Sequence, residues 1–125
     1  NIDGTDFIPD WGQATVVSQI PIGGNNTLLY SGLNYQGIAL GSTQDLTGMN
    51  RLHIDYWTAN SSALNAFLIS NSGETGKALS VPTSGWASVD IPLTDFSPVD
   101  LADIIQMKFD GNGDIYIDNI YFYRE

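Results

Sequence analysis

One stretch of the chain combines an aromatic ring with hydrogen-bonding side chains in a pattern that suits sugar binding. From Arg51 to Thr58, apolar residues alternate with His53, Asp55 and Trp57, so a β-strand here would bury one face and present these three side chains on the other. The apolar C–H face of a pyranose stacks on an aromatic ring, while carboxylate, amide and imidazole groups pair with its hydroxyls. The strand therefore predicts either a carbohydrate-binding face or an ordinary solvated face that carries one exposed tryptophan.

Two further clusters offer the same chemistry. Trp11 and Tyr35 provide ring faces, and Gln13, Asn34 and Gln36 stand beside them with amides that both donate and accept hydrogen bonds. We expect these five residues to line the same ligand-binding face as the strand described above. Each cluster is also compatible with a plain β-turn, where Asn, Gln and Gly are common.

Lys108 is the cation that stands out, because it is one of only two lysines in a strongly acidic chain. It alternates with the apolar residues Met107 and Phe109, so we expect it to face away from the core. It is predicted either to contact a sugar or an acidic glycan at the edge of the site, or to neutralise Asp55 or Asp110.

Acidic residues suggest two calcium arrangements, of which one fails. The segment Asp110 to Asp114 begins like a calcium loop, but Ile115 and Tyr121 stand where an EF-hand needs Gly and Glu, so the segment is predicted to be a hairpin turn between the last two strands. A calcium ion could instead join the two ends of the chain through carboxylates, and the candidates are Asp3, Asp6 and Asp118.

The sequence does not predict an enzyme. Its single histidine, His53, lies in mid-strand, and no G-x-S-x-G nucleophile motif is present. A glycosidase needs two carboxylates, one with a raised pKa, and only Asp55, Asp90 and Asp118 are candidates by strand position. With no cysteine and one histidine, thiolate catalysis and histidine-rich metal sites are excluded.

The elements that position these residues are predicted to be strands in one domain. The 125 residues fit a single domain, 1–125, and glutamate and lysine, which favour surface helices, number two each. Alternating segments between turns number eight or nine, which predicts an all-β sandwich of antiparallel strands, with a short helical crossover at Pro98 to Ile104.

The net charge of the chain limits the classes of partner that it could bind. A net charge of −10 argues against nucleic acid and anionic membranes, and no apolar run approaches the roughly 18 to 20 residues of a membrane span. The chain begins at Asn1 rather than methionine, so we expect a module excised from a larger protein.

Several strings of residues resemble known modules. Ile117 to Phe122, preceded by Gly85 to Leu93, resembles galactose-binding-like jelly rolls of bacterial carbohydrate-binding modules. Pro9 to Ala14, Gly32 to Gly37 and His53 to Thr58 resemble modules attached to laminarinases and related polysaccharide-degrading proteins of marine Bacteroidetes.

This resemblance implies a noncatalytic jelly-roll module, secreted or at the cell surface, that holds a parent enzyme or surface protein on its glycan. It also implies a structural calcium that joins N-terminal acidic residues, Asp3 or Asp6, to Asp118.

The ligand expected first is a neutral β-glucan such as laminarin, because an acidic chain with two lysines suits a polyanion poorly. Alginate or a sulfated galactan is the alternative, and it would need Lys108, Arg51 or calcium to offset the charge. A structural or adhesion domain without a glycan site is the third possibility, with the His53 strand contacting a neighbouring domain.

Overall fold

The protein is a sandwich of two antiparallel β-sheets. The computed structural model describes residues 5–22, 25–82 and 85–125. The strands in chain order are β1 Val16–Ile22, β2 Asn25–Ser31, β3 Tyr35–Gln44, β4 Arg51–Thr58, β5 Leu64–Ser70, β6 Gly73–Leu79, β7 Ala87–Pro92, β8 Ile104–Gly111 and β9 Ile115–Tyr123. This all-β architecture confirms the sandwich of eight or nine strands expected from the sequence.

Strand order separates the predicted site residues. One sheet has the order β1-β2-β9-β4-β7, and the other has the order β3-β8-β5-β6. The strand that carries His53 is therefore in the five-stranded sheet, whereas the strands that carry Tyr35 and Lys108 are in the four-stranded sheet.

The core lies between the two sheets and follows from the period-2 alternation. Along β4 every second residue is buried, beginning at Leu52, and along β5 the same alternation begins at Leu64. Because successive side chains of a strand point to opposite faces, the residues between them face outward. The buried apolar side chains of both sheets form one cluster.

Two predicted connections are wrong. The segment from Asp110 to Asp114 is not a hairpin turn, because β8 and β9 belong to different sheets and the segment crosses between them. Gly113 adopts a positive φ of 74°, and its Cα packs so closely on Ser61 that a side chain would collide, which lets the chain cross tightly. Pro98 to Ile104 contains no helix, and a short 3₁₀ helix lies earlier, at Leu93–Phe96.

The segment before β1 runs along the free edge of β3. The amide N–H of Asp6 donates to the Ala39 carbonyl at 2.7 Å, and the N–H of Ala39 donates back to Asp6 at 2.9 Å. This bridge brings residues 9–13 to the β3 edge of the four-stranded sheet, where the Trp11 ring lies against Gly37. In the described part of the chain no helix is long and apolar enough to cross a membrane.

Candidate functional site

The structure places six of the nine predicted ligand-binding residues on two opposite faces, and the other three, Gln13, Asn34 and Gln36, make hydrogen bonds within the protein. We call the outer face of the four-stranded sheet, together with Trp11, the Trp11 face. We call the outer face of the five-stranded sheet the His53 face. Trp11, Tyr35 and Lys108 lie on the Trp11 face, and His53, Asp55 and Trp57 lie on the His53 face. The expectation that all of them share one face is wrong.

Trp11 lies flat on Gly37. A Cβ atom at Gly37 would be 2.2 Å from Trp11 Cη2 and 2.4 Å from both Cζ2 and Cζ3, distances that only a ring facing the glycine can give. The indole is partly buried by this contact, and its other face points away from the sheet. The absence of a side chain at Gly37 therefore creates a platform parallel to the sheet surface.

Gln13, Gln36 and Asn34 hold this platform in place. The side-chain amide of Gln13 accepts from the backbone N–H of Trp11 at 2.7 Å and donates to Gln36 Oε1 at 2.8 Å. Gln36 is fully buried, so it supports the segment and does not reach a ligand. Asn34 Oδ1 accepts from the N–H groups of Ala14 and Tyr35 at 3.0 and 2.7 Å, which ties the start of β3 to the same segment.

Tyr35 stands next to the platform. Its hydroxyl donates to the Trp11 carbonyl at 2.9 Å, and the side chain is partly exposed. Its partner across the strands is Asp110, whose carboxylate accepts from Asn65 Nδ2 at 2.8 Å. Two aromatic rings and an amide–carboxylate pair are therefore neighbours on one surface.

Lys108 crosses a third aromatic ring on this face, that of Phe67. Its Nζ lies 4.3 Å from the centre of the Phe67 ring and donates to Glu74 Oε1 at 2.9 Å. The other side of the Phe67 ring lies over Gly76, where a Cβ would be 2.4 Å from the ring. The lysine thus covers Phe67 and is neutralised by Glu74, so the prediction that it neutralises Asp55 or Asp110 is wrong.

The sequence reasoning missed Asn65, Phe67 and Glu74. The signal was present for the first two, because Leu64, Ala66 and Leu68 are the buried residues of β5 and the residues between them must face outward. Glu74 lies at the second position of β6, which begins at Gly73, and it pairs with Ile69 of β5.

Several side chains of the His53 face are joined in one hydrogen-bond network. His53 Nδ1 contacts Asp90 Oδ1 at 2.7 Å, and Nε2 contacts Asp55 Oδ1 at 2.8 Å, while the ring stacks on Tyr121 with centroids 4.8 Å apart. Asp90 also accepts from the Tyr123 hydroxyl at 2.9 Å. The network joins β7, β4 and β9 across the sheet surface.

Asp55 is the most heavily engaged carboxylate of this network. Besides His53, it accepts from the Ser88 hydroxyl and from Asn119 Nδ2 at 2.8 Å. Asn119 has a positive φ of 49°, at a point where the pairing of β4 with β9 shifts register. The bulge turns the Asn119 amide toward Asp55.

These contacts favour an ionised cluster. Burial opposes the charge on His53, but hydrogen bonds and attraction from Asp90 and Asp55 outweigh it and raise the pKa of the imidazole. Burial also opposes the charge on Asp55, yet hydrogen bonds from Ser88, Asn119 and His53 lower the pKa of this carboxyl. Hydrogen bonds from His53 and Tyr123 lower the pKa of Asp90.

Trp57 lies further along the same face and is not part of this network. Its ring meets Tyr116 edge-on, with centroids 5.5 Å apart and an angle of 67° between the planes. The side chain is partly exposed. Trp57 and His53 are therefore two separate features of one sheet surface.

No family model and no curated protein matches the sequence. Solved structures do match in fold. A family 11 carbohydrate-binding module from Clostridium thermocellum, in complex with a β-1,3-1,4-mixed-linked tetrasaccharide, is 18% identical over 92% of this chain and 85% of that one, with a TM-score of 0.69. The chain has the fold of carbohydrate-binding modules.

Two further structures support this assignment of the fold. A module described as specific for non-crystalline cellulose, CBM28, is 14% identical over 98% of this chain and 89% of that one, with a TM-score of 0.63. An exo-β-agarase is 13% identical with a TM-score of 0.67, and this chain spans only 23% of its length. At these identities the likeness is one of fold.

Asp55 and Asp90 are unsuited to be the general acid of a glycosidase. A general acid needs a raised pKa, and the pKa values of Asp55 and Asp90 are both lowered. Ser88 donates to Asp55 rather than to His53, whose two ring nitrogens both face carboxylates, so these residues do not form a Ser-His-Asp triad.

The predicted calcium ligands are only partly described. Asp3 lies outside the described residues. Asp6 Oδ1 accepts from the N–H of Ile8 at 2.9 Å, and Asp118 Oδ1 accepts from the N–H of Asn119 at 2.9 Å. Among the described residues no three histidine, aspartate or glutamate side chains form a group that could hold a metal ion. Asp6 and Asp118 alone therefore do not make a calcium site, and the ion stays a prediction.

Proposed function

We propose that the chain is a noncatalytic module that binds a neutral β-glucan, laminarin being the first choice, through the Trp11 face. The observation that carries this proposal is the indole of Trp11 lying flat on Gly37 beside Tyr35. Two solved modules of the same fold support the ligand class, because one is in complex with a mixed-linked tetrasaccharide and the other is specific for non-crystalline cellulose.

Binding would divide between stacking and hydrogen bonding. One sugar ring would stack on Trp11 or Tyr35, while Asn65, Asp110 and the outward-facing Gln106 would pair with hydroxyls. One stacked ring contributes about 1 kcal/mol beyond its buried area, so single contacts are weak. Affinity for a polymer would come from several sugars bound along the face and from other domains of the parent protein.

Charge favours a neutral glycan over the acidic alternative. Lys108 is neutralised by Glu74, and Asp110 adds a further negative charge to the Trp11 face. Arg51 belongs to the opposite sheet and is paired with Glu125 at 2.8 Å. The two cations proposed for an acidic polysaccharide therefore lie on different faces, each beside a glutamate.

The role we propose is to hold a parent enzyme or surface protein, secreted or at the cell surface, on its polysaccharide. The resemblance of the sequence to modules of polysaccharide-degrading proteins supports this location.

Native affinity electrophoresis tests the proposal. The chain is run in gels that contain laminarin, mixed-linkage glucan, cellulose derivatives, agar, alginate or carrageenan. We expect retardation by a neutral β-glucan, lost in Trp11→Ala and kept in Trp86→Ala, which removes an exposed tryptophan near the start of β7. Retardation by polyanions alone would overturn the charge argument, and no retardation would favour a structural or adhesion domain.

A further inference from the structure

A small pocket lies on the five-stranded sheet, where β2, β4 and β9 meet. It has a volume of about 180 Å³, and its lining includes Trp57, Tyr116, Leu29, Asn60, Asp114 and Ser31. We propose that this pocket is a second sugar site, which holds one uncharged terminal sugar unit.

The apolar part of the pocket fits the C–H face of a sugar. Trp57 and Tyr116 meet at 67° and form an aromatic corner, and Leu29, the register partner of Tyr116 on β2, extends it. An aromatic corner with an aliphatic neighbour offers apolar contact from two directions. A pocket of this size admits one ring rather than a length of polymer.

The polar part of the pocket is fixed before any ligand arrives. Asp114 Oδ1 accepts from the Gly32 N–H at 2.8 Å, and Oδ2 accepts from Asn60 Nδ2 at 3.3 Å. Asn60 Oδ1 accepts from the backbone N–H of Asp114 at 2.9 Å, so two hydrogen bonds join Asn60 and Asp114. A carboxylate has about four acceptor positions, so Asp114 retains capacity for sugar hydroxyls.

The charge of the pocket selects the ligand class. Asp114 is the charged residue of the lining, and no lysine or arginine is among the described residues that line it. An anionic sugar would meet Asp114 without compensation, whereas hydroxyl groups would donate to it. This pattern favours a neutral sugar.

The site is independent of the Trp11 face. Trp57 and Tyr116 belong to the five-stranded sheet, and Trp11 packs on the four-stranded sheet on the opposite side of the sandwich. The two sites can therefore be inactivated separately.

Nuclear magnetic resonance on the full chain tests this site. The three tryptophans give three indole N–H resonances, each assigned by a single Trp→Phe variant. Methyl β-glucopyranoside and methyl β-galactopyranoside are titrated to about 100 mM, well beyond millimolar affinity. We expect a saturable shift of the Trp57 resonance with at least one of the two, unchanged in Trp11→Ala.

Glucuronate is the matched charged probe. We expect it to bind about fivefold more weakly than the methyl glucoside, which corresponds to roughly 1 kcal/mol of repulsion by Asp114. Asp114→Asn, which keeps the size of the side chain, should remove this discrimination. No saturable shift of Trp57, a shift that disappears in Trp11→Ala, or equal binding of glucuronate by the unmodified chain would each overturn the proposal.

Discussion

The substitution Gly37→Ala isolates the role of the tryptophan platform. The new methyl group would lie 2.2 to 2.4 Å from three carbons of the Trp11 ring, far inside van der Waals contact, so the indole has to leave its position. The φ of Gly37 is outside the left-handed region, so the β3 backbone can accept alanine without strain. The perturbation is therefore confined to the outer surface.

The loss in affinity follows from the area of one ring face. A sugar that stacks on an indole covers roughly 70 Å² of apolar surface, which at about 25 cal/mol per Å² is worth about 1.8 kcal/mol. We expect the dissociation constant for a β-glucan oligosaccharide to rise about 20-fold. Isothermal titration calorimetry measures this change, and thermal unfolding checks that the sandwich persists.

The matched control is Gly48→Ala, because a Cβ there has no heavy atom within 4 Å. We expect the control to bind as the unmodified chain does. If Gly37→Ala bound glucan with unchanged affinity although tryptophan fluorescence showed that Trp11 had moved, the platform would not be the binding surface.

Three further predictions follow from the described contacts. Gln36→Leu should weaken glucan binding and lower the free energy of unfolding by about 1 to 3 kcal/mol, measured by calorimetry and denaturant unfolding, because it leaves Gln13 without its buried partner. Because folding raises the pKa of His53, the stability gained from its charge should be complete below about pH 6.5 and be lost as pH rises through the folded pKa. If the melting temperature of His53→Gln fell from pH 6 to 9 by as much as that of the unmodified chain, this prediction would be contradicted. If residues near the two chain ends hold calcium, the ion should raise the melting temperature of the unmodified chain but not that of Asp118→Asn. The same melting temperature of the unmodified chain in calcium and in chelator would contradict this hypothesis.

Alternation was sufficient to predict those strands in which every second residue is buried. β4 and β5 could be bounded residue by residue from alternation alone. Tyr35 and, in a supporting role, Trp11 were also named as ring faces for a sugar, because amide side chains stand beside both. Alternation fixes which side of a strand is buried, however, and not the sheet to which the strand belongs.

Sheet membership explains the largest errors. His53 and Tyr35 were placed on one face because both strands are amphipathic, but strand order depends on contacts between residues far apart in the chain. The Asp-Gly-Asn-Gly-Asp segment has residues typical of a hairpin turn, and the same glycines serve equally well in a crossover between sheets. Gly37 gave no signal either, because its function is defined by the ring that lies on it.

The position of β9 has a consequence for how the chain folds. It is the last of the nine strands, yet it lies inside the five-stranded sheet between β2 and β4. On the ribosome, β2 and β4 therefore lack their shared neighbour until residues 115–123 have left the exit tunnel. Pairings between such distant segments form slowly, so we expect the sandwich to close in one late step, once β9 can pair, rather than strand by strand.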